Sequence, residues 1–195
     1  MTAAIPHALK EWAVTVEALE SGDAIALLRK GGLRDAGKRF QLPCRRVLLY
    51  PTYEHQQPHL LQSPYAERVT PVPSGWRPKT VRIGSWADIT DAFCVCDAEA
   101  LQALLPYQVG NARFAQERLR WKPQQPLSVL LLRAYRLPQP QALPYCPAYG
   151  GCRSWIELET SVSLAGAVPA LDENSYRERV AAVRTALRSA ASGTV

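Results

Sequence analysis

The sequence predicts a strand-dominated α+β domain, and three observations carry that reading. Short apolar runs rich in branched residues recur at residues 24–28, 46–50 and 129–132. Runs this brief, bounded by glycine or proline, suit strands buried in a sheet better than helices, which need longer periodic segments. Only one long helical stripe is present, at the C-terminus, where Tyr176, Val180, Val183 and Leu187 fall on one face. With 195 residues, 47% apolar and 21% charged, the chain is ordinary globular material, which excludes wholesale disorder. One domain is expected over residues 1–168, with residues 169–195 as a helical extension.

The elements follow in order. Leu9, Trp12, Val16 and Leu19 recur at helical spacing and predict a helix ending near Ser21 and Gly22. Trp12, Val14, Val16 and Ala18 also alternate, so a strand over residues 12–19 stays open. Residues 24–28 form a strand that runs into Arg29-Lys30-Gly31-Gly32, where paired glycines free the backbone to turn. A second strand, residues 46–50, stops at Pro51. Pro58, Pro64, Pro71, Pro73 and Pro78 make residues 57–78 a loop, because each removes a donor and freezes a dihedral. Residues 80–89 alternate as a strand. Asp97 is placed to cap a helix over residues 98–105, and residues 126–137 form a strand halted by Pro138-Gln139-Pro140. Residues 153–160 supply the last strand, and Asp172 to Ser175 offer caps for the closing helix.

No apolar run approaches the roughly 20 residues of a membrane span, and residues 1–10 lack the apolar core of a secretory leader. A cytoplasmic protein without membrane association is expected. The five cysteines, Cys44, Cys94, Cys96, Cys146 and Cys152, are odd in number and argue for reduced thiols. Cys94 and Cys96 share an apolar run that suggests burial. Their spacings match no zinc site, and neither metal nor cofactor is expected.

Charge distribution carries the functional reading. Lys and Arg number 23 against 17 Asp and Glu, a net charge of +6. Arg29, Lys30, Arg34, Lys38, Arg39, Arg45 and Arg46 are opposed only by Asp35, and Arg113, Arg118, Arg120 and Lys122 surround Trp121. Cations interleaved with aromatics suit a phosphate backbone and an unstacked base, while solvated loops are the plain alternative. Arg29 and Lys30 stand at a strand end where an anion could be gripped. Tyr53 and His55 emerge together after a strand and share a face, whereas Glu54 points away from His55.

Two blocks carry a resemblance. Glu11-Trp12-Ala13, residues 28–32 and residues 50–56 (YPTYEHQ), with the later residues 149–155 (YGGCRSW), resemble a bacterial family common in cyanobacteria and catalogued as a domain of unknown function. Some members stand beside restriction-endonuclease-type domains, which implies a link to nucleic acid. A weaker resemblance is to ASCH domains, within the pseudouridine-synthase-and-archaeosine-transglycosylase (PUA)-like barrels. It rests on helix residues 12–19, Gly22, and a strand ending at Arg29, then residues 130–137, Gly150-Gly151 and residues 154–158. It implies a PUA-like, ASCH-type β-barrel with short helices and a C-terminal helix, and a cleft that faces RNA or a modified base. ASCH hydrolases of acylated nucleosides carry Gly-x-Lys-Thr-x-Glu-x-Arg. Here Ala24, Ile25 and Leu27 occupy the Lys, Thr and Glu positions, so that hydrolysis is not expected.

The leading expectation is a module that binds RNA, single-stranded DNA or a modified base. Arg29, Lys30 and Arg34 would meet phosphate, Tyr53 and His55 the base, and Arg153 and Trp155 would line the cleft. Two alternatives stand. One is a nuclease or other hydrolase using His55, Cys152, or a degenerate metal pair of Glu157 and Glu159; the usual acidic-x-Lys nuclease motif is absent at every lysine. The other is a subunit that docks a protein partner through the C-terminal helical stripe.

Overall fold

The computed structural model describes residues 4–30, 34–35, 40–95, 97–125, 127–151 and 153–192. Among them run β1 (Ala4–Trp12), α1 (Ala13–Ser21), β2 (Ala26–Lys30), β3 (Arg34–Asp35), β4 (Phe40–Gln41) and β5 (Arg46–Thr52). They continue with α2 (Ser63–Ala66), β6 (Thr80–Val95), α3 (Ala98–Ala103), α4 (Ala112–Arg120) and β7 (Leu127–Pro144). The chain closes with β8 (Trp155–Ser163), β9 (Val168–Pro169) and α5 (Glu173–Ser192). The expected strand-dominated α+β class is what the chain adopts.

One mixed sheet organises the domain, in the order β2-β7-β6-β5-β1-β8, with β9 added to β7. β1 and β5 pair in parallel, from Ala8 opposite Leu48 to Trp12 opposite Thr52. The ladders of β1 with β8, β5 with β6, and β7 with both β6 and β2 are antiparallel. The terminal strands β2 and β8 do not pair among the described residues, so the expected barrel is an open sheet.

Helix wins over strand at residues 13–19, and a strand that local spacing did not announce precedes it. Trp12 turns the chain directly from β1 into α1 without a side-chain cap of its own. Gln56 supplies one instead, its Oε1 accepting from the Val14 N–H at 3.2 Å. Gly22 ends α1 in the left-handed region at φ 79°, where a β-carbon would stand 2.8 Å from Leu171.

Three prolines expected to stop strands do not. Pro51 lies inside β5, but the ladder to β6 ends at Leu48, so no missing donor is felt on that edge. Pro138 and Pro140 lie inside β7, within the register shift where Ile83 meets Gln141 and Ser85 meets Arg136. The proline-rich loop also holds a helical turn at Pro58–Leu60 and the short α2. Asp97 caps α3 as expected, accepting from Glu99 N at 3.0 Å and Ala100 N at 2.9 Å. Local spacing did not announce α4, more than half of whose residues are charged or polar. Asn111 caps it through Phe114 N and donates to the His59 and Leu61 carbonyls, fastening it to the proline-rich loop.

Three apolar clusters form the core. One fills the space between α1 and the sheet around Leu19, Leu49 and Leu130. A second joins α3 and α5 to β2 and β7, and a third surrounds Leu48, Ile83 and Val162. Tyr176, Val180 and Val183 belong to the second cluster, with Leu187 packed against it. The helical stripe expected to meet a protein partner is therefore spent on this chain's own sheet. Cys94, expected inside, is exposed on β6. No described helix is long and apolar enough to cross a membrane.

Candidate nucleic-acid interface

The parallel pairing of β1 and β5 brings their carboxyl ends to one edge of the sheet. A cleft of about 710 Å³ opens there. Lys10, Glu11 and Trp12 come from β1, residues 26–30 from β2, and Tyr50 to His55 from the end of β5. The proline-rich loop adds Trp76 and Arg77, α4 adds Phe114 and Arg118, and the segment before β8 adds Tyr149, Gly151 and Arg153.

At its floor Arg29 and Glu11 form an ion pair, with side chains 10% and 18% exposed. Burial draws the Arg29 guanidinium down from its ordinary value to about 10, and the nearby Arg118 cation pushes the same way. It remains charged at neutral pH. Arg118 is half-buried, stacks over Phe114 at 5.0 Å, and is itself lowered by burial. Lys30 turns aside: its ammonium donates to the Leu119 carbonyl at 2.8 Å, in the last turn of α4. It neutralises the carbonyl end of that helix, where a cation is favoured. Arg34 is described by its backbone alone, in the two-residue β3.

Aromatic rings form the walls. Trp12 and Phe114 meet at 6.0 Å, and Tyr53 and Trp76 meet edge to face at 5.7 Å. Glu54 accepts from Gly75 N at 2.6 Å and from Arg77, which pins the Trp76 loop over the cleft. Glu54 is thereby engaged away from His55. His55 is exposed and holds φ at 61°, a left-handed conformation uncommon for a side-chain-bearing residue. At the far end Tyr50 packs against Tyr149 at 6.1 Å. Burial raises the Tyr50 phenol, and its hydroxyl is buried without a partner among the described residues. Lys10 donates to the Tyr149 carbonyl at 2.5 Å and the Gly151 carbonyl at 3.0 Å, holding the Gly150-Gly151 turn against β1.

Of the residues singled out in the sequence, Arg29, Lys30, Tyr53, His55 and Arg153 line this cleft. Trp155 does not. It pairs with Leu9 as the first residue of β8 and packs on the core, whereas Arg153 and Ser154 precede the strand and line the cleft. Glu157 and Glu159 are exposed on β8 and outside the cleft, and Glu159 accepts from the Cys146 thiol at 3.4 Å. No cluster of three or more His, Cys, Asp or Glu that could hold a metal occurs among the described residues. Cys152, Cys96, Lys38, Arg39 and the Gly31-Gly32 turn lie outside the described residues.

Glu11, Trp12, Trp76, Arg77, Phe114 and Arg118 were not assigned to the site by local reading. Glu11 and Trp12 stood in a family motif and Arg118 in a basic cluster, but no local signal places them opposite Arg29.

Fold and site together define a strand-rich α+β domain with a cleft lined by cations and aromatic rings. The chain belongs to the family described as Domain of unknown function (DUF1802), whose model matches residues 8–182. No curated protein matches it. Among solved structures it is similar to the crystal structure of ASCH from Zymomonas mobilis, at 13% identity and a TM-score of 0.46, covering 90% of this chain and 93% of that one. A serine-to-alanine mutant of the same Zymomonas mobilis protein aligns at 12% identity and a TM-score of 0.44, covering 93% and 98%. A tyrosine-to-phenylalanine mutant aligns at 13% and 0.45, covering 90% and 96%.

Proposed function

We propose that this domain binds single-stranded nucleic acid, taking one unstacked base into the cleft. The observation that carries this reading is the convergence of Trp12, Tyr53, Trp76 and Phe114 with Arg29, Arg77, Arg118 and Arg153 around one opening. Aromatic faces attract bases of any sequence, and guanidinium forks match phosphate oxygens. A volume of about 710 Å³ falls within the roughly 300–1,000 Å³ typical of small-ligand sites, room for a nucleoside but not a duplex. Among the described residues, six basic side chains and two carboxylates line the opening, so its field favours a polyanion. In this reading the base lies among the rings and the strand leaves past Arg77 and Arg153.

Fluorescence anisotropy of a labelled single-stranded RNA octamer tests the reading. Affinity is expected to fall linearly with salt on logarithmic axes, and Arg153→Gln to flatten that line by about 0.7. Trp12→Ala is expected to weaken binding roughly five- to a hundredfold, the value of one stacked base. Absent binding at low salt, or binding indifferent to salt, overturns the proposal.

A further inference from the structure

The charges at the inner end of the cleft do not balance, and the imbalance specifies a ligand group. Arg29, Lys30 and Arg118 bring three cations to the cleft wall, and Glu11 is the carboxylate that answers them. Glu11 is engaged by Arg29, and Lys30 is fastened to the Leu119 carbonyl. Arg118 has a ring beneath it, and no carboxylate partner among the described residues. A half-buried guanidinium left without a counter-ion is unfavourable, and a second guanidinium beside it makes matters worse.

We infer that the Arg29–Arg118 end of the cleft is a subsite for a terminal phosphate monoester, the dianionic group of a mononucleotide or of a strand end. This rests on the nucleic-acid reading above and narrows it. The four side chains sum to a formal charge of +2, which a dianion cancels. An internal phosphodiester, carrying one charge, leaves the site positive. Two guanidinium forks offer donors enough for a phosphate's free oxygens, and Arg29 keeps Glu11 while sharing its remaining N–H groups. The Trp12 and Phe114 rings, 6.0 Å apart, line the same end of the cleft as Arg29 and Arg118 and offer the nucleoside an aromatic wall. Arg153, exposed at the opposite rim, serves the strand and not this subsite.

The test uses the full chain and two sets of probes. In the first, calorimetry compares adenosine 5′-monophosphate with its phosphate methyl ester and with adenosine. In the second, anisotropy compares a uridine octamer ending in a 5′-phosphate, a 3′-phosphate or free hydroxyls. A roughly ten- to hundredfold preference for the monoester in either set is expected, the value of charge-assisted hydrogen bonds. Preference in the first set assigns the group to a mononucleotide; preference in the second alone assigns it to a strand end. Arg118→Gln is expected to erase the preference in a protein that melts like the parent. Arg118→Lys, which keeps the charge and loses the fork, should retain part of it even if the glutamine variant does not fold. Binding of the methyl ester as tightly as the monophosphate, together with binding of the hydroxyl-ended octamer as tightly as the phosphate-ended ones, overturns this inference and leaves strand binding intact. Failure of every probe to bind overturns both.

Discussion

Replacing Glu11 with glutamine should destabilise the fold more than any other single change in the cleft. Its carboxylate answers Arg29 where the two side chains are 10% and 18% exposed, and Arg118 raises the local positive potential. Removing one member of a fully buried pair costs about 3–5 kcal/mol. Residual solvent access moderates that figure to about 3 kcal/mol. For a domain of this length the melting temperature should fall by about 6–12 °C. Arg29→Gln should cost less, because it removes one of two repelling guanidiniums, whereas Glu11→Gln leaves them facing each other. The double variant should therefore recover about 2 kcal/mol relative to the sum of the singles. The pH dependence has a defined sign. Arg29 is drawn down to about 10, so between pH 10 and the ordinary arginine value the unfolded chain binds the proton more tightly. This group's contribution to stability rises with pH across that window, and below it a penalty of roughly 3 kcal/mol is constant. Glu11→Gln extends the window downward. Circular-dichroism melts of the four proteins, at neutral pH and near pH 10, supply the numbers. Strict additivity of the two substitutions, or a Glu11→Gln loss below about 1 kcal/mol, refutes the reasoning.

Three further outcomes are expected. Asp97→Ala deletes both hydrogen bonds at the start of α3 and should cost about 1 kcal/mol in denaturant unfolding, with Asp97→Asn nearly neutral. Gly110→Ala places a β-carbon 2.3 Å from the Phe114 ring, so the ring must swing; RNA binding should weaken more than stability does, read by anisotropy beside a melt. Lys30→Met keeps the apolar stem but strips the Leu119 carbonyl of its donor, and should cost about 1.5–3 kcal/mol while raising hydrogen exchange in the last turn of α4.

Local chemistry made some of this protein legible before any coordinates. The Asp97 cap, the Gly22 stop and the Tyr176–Leu187 stripe depend on residues within a turn or two of each other, so their meaning survives out of context. The inventory of cations and rings was legible for the same reason, as was membership of the strand-rich class. Strand ends were not, because whether Pro51 or Pro138 breaks a ladder depends on which edge has a partner there. Nor was α4, whose few apolar residues become a face only against α3, β2 and the proline-rich loop. The site belongs wholly to long-range packing. Arg29 and Lys30 are neighbours in the chain, yet the pleat sends one to Glu11 and the other to a helix end. Trp155 and Arg153 part because β8 begins only at Trp155, which is held on the core while Arg153 stays in the segment before it. Pairing β1 in parallel with β5 carries Glu11 and Tyr50 to a shared edge, and a helix some ninety positions beyond Arg29 brings Arg118 beside it. A side chain's type states what it can bind. Its surroundings, assembled by contacts distant in sequence, settle whether that capacity is used internally or left open to a ligand.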